Sequence, residues 1–332
     1  MVRAIFLFFS FAICLAVGQA STAGAQTTSD HGASLLIFPK VVADSSGDTI
    51  LQVANLLESR VDVFCTYVDA GGGSSTTFAL DLVAEQPLHW VASQGRTAIG
   101  ETDPNDIPPA PATFDGQLIC VEVDVSGAPA TGNRLVGRAT VTTLADGDAF
   151  AYAAIGLPSS GINDADDTLC IGQPSDACLF GSEYNACPAA WWLSHPSEGA
   201  PDVQLDDGAT QHTRLVIVPC SQNVRDVVPG TVHVLFEITN EFAQVFSAAA
   251  DVTGWADLSL SDISSAFTVD LLGSAVAQTR MHPGATSGGF VVLAERERRA
   301  NGGTVVSRDA LVPQQEGAAG SPDTIVLPMG QP

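Results

Sequence analysis

From Val61 to Tyr67 the side chains alternate strictly, with Val61, Val63, Cys65 and Tyr67 on one side and Asp62, Phe64 and Thr66 on the other. A period of two carried by β-branched and aromatic residues marks a half-buried strand. The pattern recurs from Gln117 to Val125, where Ile119, Val121, Val123 and Val125 alternate with Cys120, Glu122 and Asp124. It recurs again from Thr231 to Thr239, with Val232, Val234, Phe236 and Ile238 inward. Further strand segments run over 48–53, 135–144, 150–155 and 214–219, and 289–295 is a last strong run. Asp146-Gly147-Asp148 joins two of these and carries the Asp-Gly hairpin signal. No stretch repeats at 3.6 residues; Asp257–Ser265 has the makings of one or two helical turns only. The expectation is an all-β, antiparallel β-sandwich fold. A chain of 332 residues favours two sandwich units over one.

Strand patterning lapses between 156 and 211, where Asp, Gly, Pro, Ser and Cys are frequent. This stretch reads as a cross-linked connector or insertion, because long structureless loops are uncommon unless stapled. The expected organisation is therefore a signal peptide over 1–25, a first unit over 26–155, a cysteine-rich connector over 156–211, and a second unit with a flexible tail over 212–332. The signal reading rests on Arg3, the apolar run Ala4–Val17 and the small-residue cleavage site Ala23-Gly24-Ala25. No later run reaches the roughly 20 residues of a bilayer span. Export makes the location periplasmic, secreted or cell-surface.

Six cysteines follow the signal: Cys65, Cys120, Cys170, Cys178, Cys187 and Cys220. An even number in an exported chain implies disulfides. Sequential pairing is the least tangled arrangement, although other connectivities stay open. The spacings do not match a zinc knuckle. The formal charge of −24 argues against nucleic acid as a partner, because phosphate neutralisation needs clustered Lys and Arg. It suits a soluble acidic protein.

The sequence lacks a Gly-x-Ser-x-Gly elbow, a His-Glu-x-x-His pair, a Walker loop and a dinucleotide fingerprint. That favours a non-enzymatic role, and no catalytic residue stands out. Two features are candidates for recognition. Trp191 and Trp192, with Tyr184 nearby, could stack on sugar rings or anchor a protein. Their alternative is core filling, and on an extended chain one ring could be buried and the other exposed. Asn163, Asp164, Asp166 and Asp167 form an acidic loop that could supply oxygens to Ca²⁺, the one candidate cofactor, but without the EF-hand glycine and distal glutamate.

The segment Leu35-Leu-Ile-Phe-Pro-Lys-Val-Val, followed by Asp48-Thr-Ile-Leu-Gln-Val-Ala-Asn55 and Val63-Phe-Cys-Thr-Tyr67, resembles the opening of immunoglobulin-like domains of bacterial exported proteins, including pilus-chaperone-like and cell-surface modules. The whole chain, with Tyr184-Asn-Ala-Cys-Pro188 and Phe236-Glu-Ile-Thr-Asn240, looks like uncharacterised secreted bacterial β-sandwich proteins. The resemblance implies an Ig-like fold and an extracytoplasmic location, and transfers no catalytic residues. The expected function is a non-enzymatic binding or structural component of the cell surface or periplasm, with a surface protein or a glycan as partner. One alternative is a carbohydrate-binding module assisted by Ca²⁺. Another is a two-carboxylate glycoside hydrolase, although no pair among 37 acids is singled out. The Pro-rich run Ile107–Ala112 is expected to serve as a strand-edge guard or as a spacer.

Overall fold

Nine strands occupy the first half of the chain: β1 (Leu35–Ala43), β2 (Gly47–Asn55), β3 (Val61–Asp69), β4 (Ser75–Leu82), β5 (Pro87–Val91), β6 (Phe114–Val123), β7 (Leu135–Thr143), β8 (Ala149–Ala153) and β9 (Ile155–Leu157). The computed structural model describes residues 27–329 apart from 29, 72–74, 101–102, 144–146, 162–163, 165, 174, 176–177, 179–180, 203–207, 302 and 321. The expected signal segment and Asn163 lie outside the described residues.

β1 and β2 meet at a single register pair, Ala43 with Asp48. Each then heads its own layer. One layer runs β4-β3-β6-β1-β9, and the other runs β5-β2-β7-β8. Between them lies a core built from Phe38, Tyr67, Phe78, Trp90, Phe114, Leu118, Phe150 and their neighbours. Trp90 Nε1 donates to Tyr67 Oη at 2.7 Å, so the indole N–H is satisfied inside this core.

The second half contributes β10 (Thr168–Gly172), β11 (Pro188–Pro196), β12 (Ala200–Pro201), β13 (Thr210–Pro219), β14 (Gln222–Asn223), β15 (Thr231–Asn240), β16 (Val245–Thr253) and β17 (Ala256–Ser259). Two short helices follow, α1 (Leu260–Ile263) and α2 (Val269–Leu272). The chain ends through β18 (Val276–Pro283), β19 (Phe290–Arg299), β20 (Val305–Leu311), β21 (Gln314–Ala318) and β22 (Pro322–Val326). One five-stranded sheet has the order β16-β15-β18-β11-β21. A second has the order β12-β13-β19-β20, with β17 also on β13. A small sheet joins β10, β22 and β14.

The fold class is all-β and sandwich-like, as alternation predicts. The burial differs from the half-buried expectation. Leu35, Ile37, Ile119 and Val121, on the outer side of β1 and β6, join one core with Trp191, Leu215, Ile217, Phe236 and Val292 from the second half. Both faces of β6 are therefore covered. Glu122 is fully buried there, and Arg134 meets its Oε1 at 2.7 Å through Nε. Two further differences concern the 156–211 stretch and the chain end. Pro188–Pro196 is a nine-residue strand between β18 and β21. Residues 322–326 pair with β10, and Ile325 and Leu327 are buried, so apolar contact docks the tail.

Three disulfides are formed, Cys65–Cys120, Cys170–Cys178 and Cys187–Cys220. They fit an oxidising environment. The first joins directly opposed residues of β3 and β6. The third ties the entry of β11 to the end of β13, and so links the two five-stranded-sheet layers. Among the described residues no helix is long and apolar enough to cross a membrane.

Asn55 and Asn240 end strands in the same way. Each is buried, and its Oδ1 accepts the N–H two residues on. Asn240 closes a true hairpin between β15 and β16, whereas Asn55 sits where the chain crosses from one layer to the other. The shared device is local chemistry serving two topologies.

Candidate functional site

On β11 the extended backbone sends adjacent side chains to opposite faces. Trp191 points inward, is wholly buried, and donates from Nε1 to the Phe290 carbonyl at 2.9 Å. Tyr184 is buried in the same core. Trp192 points outward and is half-buried. Register places Arg280 of β18 and Gln314 of β21 on either side of it, and Glu237 of β15 beyond Arg280.

These groups form a connected polar fence. Trp192 Nε1 donates to Glu316 Oε2 at 2.6 Å. Arg280 donates from Nε to the same oxygen at 3.0 Å and from Nη2 to Oε1 at 3.3 Å. The Arg280 guanidinium carbon lies 5.9 Å from the Trp192 ring centroid, within cation–π range. Arg280 Nη1 reaches Glu237 at 3.5 Å, and His282 Nε2 lies 3.7 Å from Glu237. Hydrogen bonds from Arg280 and Trp192 hold the Glu316 carboxyl below the usual carboxylate range. The bond to Glu316 in turn raises the Arg280 pKa. The face thus presents an indole fixed in orientation, beside carboxylate acceptors and guanidinium donors. That combination can stack on an apolar ring face and bind its hydroxyls. Arg280, Glu237, Glu316 and His282 carry no signal in the sequence beyond outward strand positions.

The acidic loop is built differently. Asp164 Oδ1 accepts from Asp166 N at 3.4 Å, and Asp166 Oδ1 accepts from Thr168 N at 2.7 Å, so these carboxylates serve turns. Asp167 pairs with Arg225. Beneath the loop lies Glu183, which accepts from Cys170 N at 2.8 Å and from Asp164 N at 3.2 Å. Among the described residues, metal-type donor atoms converge only at Cys187, Cys220 and Asp323, where both sulfurs are in a disulfide. Burial pushes the Glu183 carboxyl up to about 7 from its ordinary 4.5. A raised carboxyl contributes stability that is complete below the unfolded value and is lost as pH rises through the folded one. Stability should therefore fall between about 4.5 and about 7 through this group, and Glu183→Gln should flatten that segment of a thermal-melt pH profile.

A third cluster lies where the two halves face each other. β1 bulges at Pro39–Lys40: its register on β6 skips between Phe38 and Val41, as expected where proline has no N–H for the ladder. The bulge is braced by Trp255 Nε1 on the Pro39 carbonyl at 2.7 Å and by Tyr152 on the Lys40 carbonyl. It directs Lys40, the only lysine of the chain, into a cleft of about 440 Å³. There Lys40 Nζ pairs with Asp257 and lies 3.2 Å from Glu295. Arg214 Nε meets Asp257 at 2.8 Å, and Glu297 is held by Arg299 and, at 3.2 Å, by Arg308. Opposed residues of β13 and β19 share a face, so Arg214 lies across from Glu295 and His212 across from Glu297. Burial alone would lower the Lys40 pKa, but Glu295 and Asp257 outweigh it and raise it. Burial raises Glu295, whereas Lys40 and Arg214 outweigh burial at Asp257 and lower it. The Lys40 ammonium sits between the two acids.

No family model and no curated protein matches the chain. Among solved structures it has likenesses to Thermotoga maritima 1070, at 11% identity over 40% of this chain and 98% of that one, with a TM-score of 0.28. It also has likenesses to PBSX exported protein XepA, at 10% identity over 79% and 85% with a TM-score of 0.19, and to the apo form of Pleurotus ostreatus lectin, at 8% over 89% and 79% with a TM-score of 0.18. At these TM-scores the likenesses carry no argument about function.

Proposed function

We propose that this chain is an exported, non-enzymatic binding protein whose ligand is a glycan, bound on the outer face of the β16-β15-β18-β11-β21 sheet. The observation that carries the reading is Trp192: an outward indole, fixed by Glu316, amid Arg280, Glu237 and His282 on four neighbouring strands. Stacking supplies affinity and the polar groups supply orientation. The signal-like first 25 residues and the three disulfides support an extracytoplasmic setting. Ca²⁺ assistance from Asp164, Asp166 and Asp167 is a subordinate proposal that rests on the acidity of that loop.

A glycan array run with and without EDTA tests the reading. Retention of a defined sugar class is expected, and Trp192→Ala should weaken it by at least ~10-fold, or about 1.4 kcal/mol. Loss of retention in EDTA would support the Ca²⁺ part. An array blank in both conditions would overturn the glycan reading. The two-carboxylate hydrolase has the Lys40 cleft as its candidate site, and there the ammonium between Asp257 and Glu295 argues against it. Release of reducing sugar from a retained glycan would reverse that preference.

A further inference from the structure

The free edge of β16 has a chemistry that matches itself in reverse. β16 pairs with β15 along nine register positions without a bulge, and β15 is its only strand neighbour in the described sheet. Asn240 N donates to the Gln244 carbonyl and Gly254 N to the Gly230 carbonyl, one at each end of the hairpin. Hydrogen-bonded and non-bonded pairs alternate in an antiparallel ladder. Both end bonds therefore agree that even-numbered residues of β16 bond to β15. Val245, Ser247, Ala249 and Asp251 then turn their N–H and C=O groups away from the sheet.

Proteins ordinarily blunt such edges with lysine, proline, bulges or covering loops. The first sandwich does so: Asn105 clasps the N–H and the C=O of Asp81 on β4, and Ala110 N bonds to the Ala92 carbonyl just past β5. The Ile107–Ala112 run thus lies where an edge guard is expected. β16 has no lysine, no proline and one acid in the sequence Val-Phe-Ser-Ala-Ala-Ala-Asp-Val-Thr. Val245 is 69% exposed, and Phe242 at the adjoining turn is 64% exposed.

We propose that β16 pairs antiparallel with β16 of a second copy, with the two-fold axis at Ala249. In that register Ser247 faces Asp251 of the other copy, so a hydroxyl donor meets a carboxylate and no acid faces an acid. Val245 faces Thr253, and on the inward side Phe246 faces Val252 and Ala248 faces Ala250. A register centred one residue earlier would set Val245 against Asp251 instead. The small side chains at the centre let the backbones approach, and the two five-stranded sheets become one of ten strands. Because the axis is normal to the sheet, both outer faces lie on the same side. The net charge of −24 on each copy opposes association, so the dimer should tighten as salt rises.

Sedimentation velocity of the full chain at low and at molar salt tests the pairing. A concentration-dependent dimer, favoured by salt, is expected. Ala249→Pro leaves the β15 ladder intact, because the lost N–H points outward, and should give a monomer with unchanged far-UV dichroism. Ala249→Asp, which sets two carboxylates across the axis, should do the same and serves if the proline variant folds poorly. Under mild oxidation Ala249→Cys should cross-link copies and Ser247→Cys should not. A monomer under every salt condition, or a dimer untouched by either Ala249 variant, would overturn the proposal.

Discussion

Replacing Lys40 with methionine is expected to cost the fold about 3–5 kcal/mol, the range for removing one member of a buried ion pair. The loss comes less from the missing attraction than from what remains. Asp257 and Glu295 would both sit buried in a cleft whose compensating charge had been removed, with Arg214 alone beside Asp257. The effect should depend on pH in a definite direction. Asp257, whose folded pKa lies below its ordinary 3.8, contributes stability that is present above that value and is lost as pH falls through the folded one. Glu295 is raised above its ordinary 4.5, so its contribution is complete below that value and declines as pH rises through the folded one. Without Lys40, Glu295 moves further in the direction burial already pushes it. Denaturant unfolding should therefore show Lys40→Met most damaging at neutral pH and partly relieved in acid. Adding Glu295→Gln should recover part of the loss, since it deletes the stranded charge. A loss below about 1 kcal/mol would mean the cleft behaves like a solvated surface pair.

The second large effect belongs to the Cys65–Cys120 bridge. It closes a 55-residue separation, which the chain-entropy model converts to about 4 kcal/mol, against about 2.5 kcal/mol for the separation of 8 closed by Cys170–Cys178. Both sulfurs lie in the core of the first sandwich, next to the Tyr67, Phe114 and Trp90 cluster. The paired substitution Cys65→Ala with Cys120→Ala should therefore cost about 4 kcal/mol in urea unfolding, and Cys170→Ala with Cys178→Ala clearly less. Equal losses from the two pairs would show that chain entropy is not what these bridges contribute. Sequential pairing keeps each bridge inside its own half of the chain, so neither bridge needs the other half to form first.

The residues differ in how far each could be read in advance. The alternation at 61–67, 117–125 and 231–239 located β3, β6 and β15, because a strand exposes its period in consecutive residues. The opposite destinations of Trp191 and Trp192 follow from the same period, once the segment is extended. β11 itself was not legible, since Pro188-Ala-Ala-Trp-Trp-Leu-Ser-His-Pro has no clean alternation and sits among loop-forming residues. Tertiary pairing with β18 and β21 overrides that local ambiguity. The acidic loop stands out by composition, and only the structure shows that one oxygen each of Asp164 and Asp166 accepts from a turn N–H and that Asp167 pairs with Arg225.

What the residues alone determined are the properties that neighbours along the chain can express: the strand period, and an even count of cysteines that suits disulfides without fixing their partners. What only the tertiary structure decided are meetings between distant positions. Trp192 and Glu316 are 124 residues apart, and Lys40 and Asp257 are 217 apart. The sheet order that joins such positions is set by which apolar faces can be buried together, over loops far longer than any local pattern spans. That is why β6 is covered on both sides, why the one lysine lies buried at the junction of the halves, and why an outward tryptophan has a fence around it.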